Sequence, residues 1–416
     1  MSAIATNPDV HIAVVGAGQA AASLVVKLRS LGFDGRLTVI GEEAAAPYQR
    51  PPLSKKYLLG EMSADRLLLR PDVFYSENRI ELLLGTPVTR LDTTARTLFV
   101  GNRPLRFDML ALTTGARPRK LPAGMGGSLT GIHTIRTRAD VDSLAPEFAE
   151  GRHLLVVGGG YIGLEAAAVA ARGGLKVTVV ENAPRILARV ASAETAAYFR
   201  DLHRSYGVTL HEGTGVVQLR GDSRVRSVVL SSGVELAVDF VVAGVGALPC
   251  TELAEAAGIR CDNGIAVDAR GRTSAEHIWA AGDCTSFPWQ GTRIRLECVQ
   301  NAVEQAECVA ADMMRQPVSY DPTPWFWSDQ YDRKLQIAGM NAGYDQVVAR
   351  RTSARVQSFW YFRAGSFCAV DAIDDPRAYL VGKQLLQAGS SPDPALLSDT
   401  QFDLKSLLTR RAPESA

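Results

Sequence analysis

Residues 11–43 read HIAVVGAGQAAASLVVKLRSLGFDGRLTVIGEE, and this stretch decides the fold. Its apolar run Ile12–Val15 is typical of a buried parallel strand, and a glycine-rich turn and a helix follow it. Gly16 permits a tight turn, Gly18 lets a pyrophosphate approach the backbone, and Ala21 is small enough for the helix to pack against its strand. The free amides and the positive dipole end of that helix would face the phosphates, which indicates a dinucleotide-binding turn.

A second strand, Leu37–Ile40, follows this helix and leads into Glu42 and Glu43. A carboxylate at this place accepts hydrogen bonds from the ribose hydroxyls of a dinucleotide and repels a 2'-phosphate. A lone glycine fingerprint is weak evidence, because glycine clusters between a strand and a helix also occur for packing alone. The acids at the strand end therefore supply necessary context.

A second copy of the pattern strengthens the interpretation. Residues 154–181 read LLVVGGGYIGLEAAAVAARGGLKVTVVE, with glycines at Gly158, Gly160 and Gly163, then a helix and a strand that ends at Glu181. Two dinucleotide fingerprints in one chain imply two bound dinucleotides.

Each fingerprint is followed by the same order of elements. Short runs broken by turns, in the pattern of a β-meander, lead to a return strand between residues 88 and 115, and again between residues 216 and 246. The order of fingerprint, acid, meander and return strand therefore occurs twice, which indicates an internal duplication of one nucleotide-binding module. The predicted fold class is α/β, with two Rossmann-like dinucleotide-binding domains.

The character of the chain changes beyond residue 320. A linker at Pro322–Pro324 precedes the aromatic cluster Trp325–Trp327, and strand-like runs and a helix at 376–388 complete a small α+β unit. The aromatic cluster is either core or an electron-transfer surface. We predict that residues 1–115 and 247–321 bind the first dinucleotide, that residues 116–246 bind the second, and that residues 322–416 form a C-terminal α+β domain.

The composition is that of an ordinary globular chain. Of 416 residues, 46% are hydrophobic and 21% are charged, and the net charge is +1. This balance gives no general electrostatic reason to expect nucleic acid or an anionic membrane as a partner. The N-terminus lacks the features of a signal peptide, and no apolar run reaches the roughly 18 residues of a membrane helix, so we expect a cytoplasmic protein.

The cysteines argue against two kinds of chemistry. They stand at Cys250, Cys261, Cys284, Cys298, Cys308 and Cys368. None forms a CxxC pair or a metal-ligand spacing, so we expect unpaired thiols and no metal site. No dithiol relay is then available beside the first dinucleotide.

Two further segments carry candidate functional residues. The proline-rich loop 47–55 presents Arg50 and Lys55, either as cofactor contacts or as a solvated basic loop. Lys55 could then stabilise negative charge on a ring of the bound cofactor. Segment 273–283 reads as a strand that leads to a glycine turn and Asp283, a position that is otherwise most often a helix cap or turn residue.

These motifs together resemble a known family. The chain is similar to the FAD-containing, NADH-dependent ferredoxin reductases that serve bacterial cytochrome P450 systems and Rieske dioxygenases, within the glutathione-reductase-like flavoproteins. The resemblance covers nearly the full length. Its motifs are GAGQAA at 16–21, RPPLSK at 50–55, TTGARPR at 113–119, GGGYIGLE at 158–165, GVGALPCTELA at 244–254, AAGDC at 280–284, LECVQNA at 296–302 and WFWSDQY at 325–331.

The resemblance implies FAD and NADH as cofactors and assigns contacts residue by residue. Those implied for FAD are Gly16, Gly18, Ala20, Glu42 on the ribose, Arg50, Lys55, Val88, Arg136, Asp283 on the ribityl chain, and Val299 at the flavin edge. Those implied for NADH are Gly158, Gly160, Ile162, Gly163, Glu181 on the adenine ribose, and Gly246 and Glu297 near the nicotinamide. Trp327 joins the cofactor-contacting candidates and marks the expected docking position.

The resemblance also implies the reaction. NADH passes a hydride to FAD, Lys55 and Glu165 tune charge near the ring, and FAD releases electrons singly to a [2Fe-2S] ferredoxin that feeds a cytochrome P450 or Rieske oxygenase. Glu181 favours NADH over NADPH, although Arg185 and Arg189 follow soon after and could accept a 2'-phosphate. We expect a weak, salt-sensitive encounter with an acidic ferredoxin, aided by the basic residues Arg293, Arg295, Arg333 and Lys334.

Other functions stay open at this point. A sibling reductase could use rubredoxin, a quinone or oxygen as acceptor. A flavoprotein similar to apoptosis-inducing-factor proteins could sense NADH instead of turning it over rapidly. We expect a monomer or a weak homodimer, and the identity of the ferredoxin, the oxygenase and the organic substrate is not encoded in these motifs.

Overall fold

The computed structural model describes residues 7–409, and the chain divides into two compact units. The first unit contains the chain up to Arg50, residues 63–117 and residues 247–322. The second contains residues 51–62, residues 118–246 and the chain from Thr323 onward. This division is coarser than the predicted four segments, so the assignment of separate nucleotide-binding and C-terminal domains stays a prediction.

The first unit is built on a parallel sheet of five strands. Its strands, in spatial order, are Ile278–Ala280, Met109–Leu112, His11–Val15, Arg36–Ile40 and Ile80–Leu83. The central strand His11–Val15 is buried along its whole length, as its apolar sequence requires. The helices Gln19–Ser30 and Val299–Met313 pack against each other and contribute small buried side chains such as Ala21 and Ala306 to the same core.

Smaller elements complete the first unit. Its antiparallel meander consists of Val88–Asp92, Thr97–Val100 and Arg103–Arg106. A further three-stranded sheet consists of Ile265–Ala266, Thr285–Trp289 and Thr292–Ile294. The remaining short helices are Ala64–Leu67, Asp72–Glu77 and Glu252–Ala256. Short strands at Ala116–Pro118 and Ala247–Pro249 lie where the chain passes from one unit to the other.

The second unit repeats the parallel sheet. Its strands, in spatial order, are Thr209–Glu212, Lys176–Glu181, His153–Val157, Phe240–Ala243 and Ile132–His133. Its helices are Arg138–Leu144, Tyr161–Arg172 and Ala193–Ser205, and its meander consists of Val216–Arg220, Ser227–Leu230 and Glu235–Ala237. A single helical turn, Pro51–Ser54, packs against the helix Tyr161–Arg172.

The C-terminal part of the second unit is an antiparallel sheet covered by helices. Its strands, in spatial order, are Trp325–Gln330, Arg333–Gly339, Ser366–Ile373, Gln357–Arg363 and Gln346–Arg351. The helices are Pro376–Gln387, Pro394–Ser398 and Ser406–Thr409. Trp360, Val370 and Tyr379 lie in its core. The aromatic cluster that follows the predicted linker is therefore the first strand of this sheet.

The predicted α/β fold class, with a repeated nucleotide-binding module and an added α+β part, is confirmed by this architecture. No helix between residues 7 and 409 is both long and apolar enough to cross a lipid bilayer. Over the same described range, no group of histidine, cysteine, aspartate or glutamate side chains is arranged to hold a metal ion.

Candidate functional site

The first glycine turn requires a residue without a side chain. Gly16 has a φ of +103°, and a Cβ built on it would lie 2.2 Å from the carbonyl oxygen of Thr113. Its backbone N–H donates to the carbonyl of Ile40 at 2.8 Å, which fixes the turn to the neighbouring strand. The tight turn at Gly16 therefore follows from a close approach of two backbones.

Gly18 has a different role from Gly16. Its backbone is extended, with φ −104° and ψ −160°, and a Cβ built on it would meet no atom within 4 Å. The helix Gln19–Ser30 begins directly after it, without a side chain that caps its first amides and without an acid in its first turn. Open space above free amides is the arrangement that binds a phosphate at a helix N-terminus.

Three motifs of the first unit meet beside this turn. A Cβ at Gly282 would lie 3.2 Å from the Cβ of Ala20 and 3.9 Å from Ala302, so the AAGD turn and the helix Val299–Met313 adjoin the fingerprint helix. Asp283 follows Gly282 directly. The pKa of the Arg50 guanidinium lies above its usual value. Burial acts to lower this pKa, but Tyr48, Glu43 and Asp283 nearby raise it by more.

The two acids after the second strand differ in their contacts. Glu43 accepts hydrogen bonds from the Tyr48 hydroxyl at 2.5 Å and from Arg50 at 2.6 Å, and the Arg50 guanidinium lies over the Tyr48 ring. Glu42 is exposed to solvent. Because Arg50 forms an ion pair with Glu43, the exposed Glu42 stays the candidate for a ribose contact.

The remaining candidates of the first unit are spread over its edge. Val88 is half-buried at the start of the meander, and Val299 is the first residue of its helix, after the N-cap Cys298. Glu297 is exposed and forms an ion pair with Arg295. The structure places Glu297 in the first unit, whereas the second fingerprint lies in the second unit.

The second glycine turn repeats the geometry of the first. Gly158 has a φ of +106°, and a Cβ on it would lie 2.4 Å from the carbonyl oxygen of Gly244. A Cβ at Gly163 would lie 2.2 Å from the carbonyl oxygen of Gly158, so the helix Tyr161–Arg172 packs tightly against the turn. Above Gly160 the space is again open, and the helix again lacks a side-chain cap.

Ile162 is 53% exposed in the first turn of this helix, which is unusual for a large apolar side chain beside a sheet edge. Gly246 has a φ of +101°, and Arg189 is the nearest side chain to the position where its Cβ would lie, at 3.9 Å. Open backbone, free amides and an exposed apolar residue fit a bound dinucleotide in this second cradle.

Glu181 is fixed by backbone amides. Its Oε2 accepts from the N–H of Gly159 and its Oε1 from the N–H of Ala183, both at 2.7 Å. Arg185, which was considered as a partner for a 2'-phosphate, instead donates to the carbonyls of Ile186 and Ala191. The acid is therefore presented in a fixed orientation, while one of the two nearby arginines is occupied within the loop.

Lys55 and Glu165 form an ion pair in the second unit. Lys55 Nζ lies 2.7 Å from Glu165 Oε2, and the Glu165 residue is only 5% exposed. The hydroxyls of Ser54 and Ser328 also donate to this carboxylate, each at 2.8 Å. A buried carboxylate is tolerable only when it is paired and hydrogen-bonded, and these three donors meet that requirement.

Ser54 and Ser328 were not among the predicted site residues. Both lie inside motifs that the sequence shows, RPPLSK and WFWSDQY, directly beside or near predicted residues. The sequence gives no sign that the two motifs meet at one carboxylate, because that contact joins positions 54, 165 and 328, which are far apart in the chain.

Two predicted residues of the second unit lie elsewhere. Arg136 is half-buried just before the helix Arg138–Leu144, and its N–H donates to Asp140 at 3.0 Å. Trp327 is partly exposed and stacks on Trp325 with ring centroids 5.7 Å apart, while Lys383 lies over the Trp325 ring.

None of the six cysteines, which all lie within the described residues 7–409, forms a disulfide. Burial raises the pKa of Cys284 to about 11 and that of Cys298 to about 12, so both stay protonated near neutral pH. Neither thiol has a cysteine partner in the part of the chain that the structure describes.

Two open glycine turns, a paired lysine and glutamate, and cysteines that form no disulfide among residues 7–409 fit an oxidoreductase that binds two dinucleotides. Residues 10–306 match the family described as pyridine nucleotide-disulphide oxidoreductase, and residues 325–408 match the family described as reductase C-terminal. The chain belongs to the pyridine nucleotide-disulphide oxidoreductases, with the added reductase C-terminal domain.

Relatives of this chain carry the names of ferredoxin reductases. Rhodocoxin reductase of Rhodococcus erythropolis is 41% identical over 96% of this chain and 94% of its own length. A ferredoxin–NAD(P)(+) reductase of Sphingomonas sp is 40% identical over 97% of this chain and 99% of its own length. The reductase in the covalent putidaredoxin reductase–putidaredoxin complex superposes with a TM-score of 0.93, at 36% identity, over 97% of this chain and 99% of that chain.

These findings confirm the predicted family and enzyme class. Membership also implies FAD and NAD(P)H as cofactors, which confirms that prediction except for the choice between NADH and NADPH. The roles of individual residues are not tested by the comparisons and stay predictions.

Proposed function

We propose that the protein is an NADH-dependent reductase that passes electrons from FAD, one at a time, to a [2Fe-2S] ferredoxin. That ferredoxin would serve a cytochrome P450 or a Rieske oxygenase. One relative is named as the ferredoxin reductase component of chlorobenzene dioxygenase, and one similar solved structure is a ferredoxin reductase for the CYP199A2 system. When bound, FAD supplies the chemistry of accepting two electrons as a hydride and releasing them singly. The observation that carries the proposal is the pair of open glycine turns, each with an uncapped helix N-terminus, in a chain whose described residues contain no disulfide.

In the first unit, we assign Gly16, Gly18 and Ala20 to the FAD pyrophosphate. The support is the open space above Gly18 and the free amides of the helix that follows. Arg50 and Asp283 lie close enough to influence each other electrostatically, so a cation and a carboxylate stand together where the pyrophosphate and the ribityl chain would meet. Glu42 is assigned to the ribose because it is exposed, whereas its neighbour Glu43 forms an ion pair with Arg50.

In the second unit, we assign the Lys55 and Glu165 pair to charge control beside the flavin. A lysine held by a buried carboxylate keeps its position, so its ammonium group can stabilise negative charge that develops on a nearby ring. The glutamate has no role as a proton carrier in this assignment, because its two oxygens already accept hydrogen bonds from Lys55, Ser54 and Ser328.

We propose NADH rather than NADPH as the donor. Glu181 is held at the strand end by two backbone amides, so a 2'-phosphate would meet a fixed negative charge. Arg189 is the remaining basic candidate for such a phosphate, because Arg185 is bonded to carbonyls of its own loop.

For the acceptor, the docking proposal centres on Trp327 and Lys334. The other basic residues suggested for docking are engaged: Arg293 donates to the carbonyls of Val267 and Ser286, Arg295 pairs with Glu297, and Arg333 pairs with Asp332. Lys334 is exposed on the strand next to that of Trp327. We therefore expect an encounter with an acidic ferredoxin that is weak and sensitive to salt.

Stopped-flow measurement of flavin absorbance tests the proposal. NADH should bleach the bound flavin much faster than NADPH, and an added [2Fe-2S] ferredoxin should restore the absorbance in one-electron steps. Rapid oxygen consumption without a carrier would favour the oxidase alternative. Slow turnover with a long-lived reduced flavin and NAD complex would favour the sensor, and a colourless protein that cannot take up FAD would contradict every reading.

The docking role is tested in the full-length protein by Trp327→Ala. We expect the rate of electron transfer to ferredoxin to fall severalfold more than the rate of NADH-dependent flavin bleaching. Lys383→Ala is the matched control, because it removes the cation over Trp325 and leaves Trp327 in place. An unchanged rate of ferredoxin reduction in Trp327→Ala would refute the proposed docking position.

Three further points are part of the proposal. We place the protein in the cytoplasm and expect a monomer or a weak homodimer. We also propose that residues 7–115 and 247–321 form the FAD domain, residues 116–246 the NAD domain, and residues from 322 onward the C-terminal domain.

A further inference from the structure

A chain of buried side chains runs from Glu165 to Tyr331 within the second unit. Ser328 Oγ lies 2.8 Å from Glu165 Oε1, and Gln330 Nε2 lies 3.2 Å from Ser328 Oγ. His203 Nε2 lies 2.8 Å from Gln330 Oε1, and the Tyr331 hydroxyl lies 3.1 Å from His203 Nδ1. Ser328, Gln330 and His203 have no exposed surface.

The local structure explains why these side chains meet. Ser328 and Gln330 are two residues apart on the strand Trp325–Gln330, so they point to the same face of the sheet. Glu165 lies on the helix Tyr161–Arg172, which packs on that strand, and His203 lies in the last turn of the helix Ala193–Ser205. Tyr331 stacks on Tyr206, with ring centroids 3.8 Å apart, at the outer end of the chain.

The carboxylate of Glu165 fixes the direction of every hydrogen bond in this chain. An ionised carboxylate only accepts, so the single hydroxyl hydrogen of Ser328 points to Glu165. Ser328 must then accept from Gln330, which therefore presents its amide nitrogen to Ser328 and its oxygen to His203.

The histidine is constrained in turn. Because it faces the Gln330 oxygen, His203 carries its hydrogen on Nε2, and its Nδ1 accepts from the Tyr331 hydroxyl. Burial lowers the pKa of His203 to about 4, so the ring is neutral near pH 7, as a donor at one nitrogen and an acceptor at the other requires.

We propose that His203, Gln330 and Ser328 are positioning residues for the Glu165 and Lys55 pair. Their hydrogen bonds all point toward Glu165, so their dipoles add at the carboxylate, hold its Oε1 and leave Oε2 to Lys55 and Ser54. This series of hydrogen bonds holds the Glu165 carboxylate in place and does not conduct protons. The amide of Gln330 interrupts proton transfer, because it would have to leave its ordinary neutral form to pass a proton on. The link to electron transfer rests on the proposed function, whereas the link between His203 and Glu165 does not.

Glu165→Gln provides a directional test. The oxygen of the new amide should face Lys55 and Ser54, which both donate, so its NH2 group should face Ser328. Ser328 would then donate to Gln330, Gln330 would turn its nitrogen to His203, and the ring would have to accept at Nε2. The substitution at residue 165 should therefore move the hydrogen of neutral His203 from Nε2 to Nδ1, although Ser328 and Gln330 lie between the two residues.

Nitrogen-15 NMR of histidine-labelled, FAD-loaded protein reads this tautomer directly. The protein has 6 histidines, and the signal that is lost in His203→Gln is the signal of His203. We expect the Nε2–H form in the parent from about pH 5.5 to 8, and the Nδ1–H form in Glu165→Gln. His153, which contacts Thr178 in the same unit, is the internal control and should not change. An unchanged His203 tautomer in Glu165→Gln would overturn the proposal.

Ser328→Ala tests the middle of the chain. Without the serine hydroxyl, residue 165 can no longer dictate the orientation of Gln330, so Ser328→Ala and its double variant with Glu165→Gln should show the same His203 tautomer ratio. Different ratios would mean that another route connects the two ends and would refute the assigned path. Retained flavin absorbance shows that each variant is folded.

The functional arm uses flavin reduction by NADH. Ser328→Ala removes a hydrogen bond to a buried charge, so the rate constant of reduction should fall roughly tenfold or more, with little change in the apparent affinity for NADH. An unchanged rate constant would refute the positioning role. If NADH reduces neither the parent nor the variant, the proposed function fails, and the tautomer measurements still decide whether the chain is coupled to Glu165.

Discussion

The two cradles share one backbone but place their acids one residue apart. In each, the first glycine of the turn donates its N–H at 2.8 Å to a carbonyl of the second strand, that of Ile40 in the first cradle and Val180 in the second. By this register Gly41 corresponds to Glu181, and Glu42 lies one position later. The acid of the first cradle is exposed, whereas that of the second is held by two backbone amides.

The residue between the first two glycines explains this offset. In the first cradle it is Ala17, and a Cβ at Gly41 would lie 2.6 Å from the Ala17 Cβ. In the second cradle it is Gly159, which leaves room for Glu181 beside the turn and donates its own N–H to the Glu181 carboxylate. One methyl group at the turn therefore decides where the strand can carry its acid.

A second difference lies inside the fingerprint helices. The position of Glu165 in the second helix corresponds to Ser23 in the first, whose hydroxyl accepts a hydrogen bond from the Gln19 side chain at 3.3 Å. The second helix thus carries a buried charge that three donors hold, and the first does not. The comparison indicates that the repeated backbone supplies dinucleotide binding, while a single difference in side chain, Ser23 in one helix and Glu165 in the other, adds a buried charge.

The largest expected effect separates the glycines within one cradle. Gly16→Ala meets a carbonyl at 2.2 Å and a φ of +103°, so it should destabilise the fold by about 4 kcal/mol or more and leave little flavin-bearing protein. Gly18→Ala has open space and an allowed φ, so it should fold like the parent and lose FAD affinity only. Urea unfolding and flavin absorbance measure both. Equal unfolding midpoints for the two variants would show that the close approach at Gly16 carries no energetic weight.

The buried chain of the second unit should produce a pH dependence. The pKa of His203 is lowered to about 4 from an ordinary 6.5, so the unfolded state binds more protons in this range, and stability is lost as pH falls from about 6.5 to about 4. The loss amounts to about 3 kcal/mol. Burial raises the pKa of Asp371 to about 6, which acts in the opposite direction over part of this range. We therefore compare the parent with His203→Gln, in which the acid-side loss should be smaller by that amount. Parallel pH curves for the two proteins would contradict the buried, neutral histidine.

The fold was predictable because its decisive signals are local. Apolar runs, glycine spacing and the repeated order of elements indicate both parallel sheets from residues that are close in sequence. The strand Trp325–Gln330 was not predicted, because the side chains on its buried face are Ser328 and Gln330, and the usual alternation of apolar and polar residues is therefore absent. A strand whose buried side chains are polar cannot be predicted from its pattern of hydrophobic residues.

The site was predictable only in part, for the same physical reason. The glycines, Lys55 and Glu165 stand in motifs, so sequence alone singles them out. The choice between Glu42 and Glu43 depends on Tyr48 and on the orientation of Arg50, which no spacing reveals. Contacts that form only in the folded protein therefore decide which of the two neighbouring acids, Glu42 or Glu43, is available to a ligand.

A smaller effect compares the two acids. Glu181→Ala should lower the preference for NADH over NADPH roughly tenfold to a hundredfold, because it removes the negative charge and the hydrogen-bond acceptors that a ribose would meet. Glu42→Ala is the matched change in the first cradle and should weaken FAD binding without altering that preference. The ratio of kcat/KM for the two nucleotides measures the effect. If the ratio of kcat/KM for NADH and NADPH shifted in Glu42→Ala and not in Glu181→Ala, the proposed assignment of the two acids to the two dinucleotides would be wrong.

The smallest effect tests the methyl group that sets the offset. Gly41→Ala brings two Cβ atoms to 2.6 Å, an overlap that should cost about 1 to 3 kcal/mol of stability. Ala17→Gly removes the opposing methyl, so the double variant Ala17→Gly with Gly41→Ala should recover about 1 to 2 kcal/mol relative to the sum of the single changes. The double variant then has the glycine and side-chain arrangement of the second cradle. Additive free energies of unfolding would show that the position of the acid is set elsewhere, because two residues that do not compete for space cannot rescue each other.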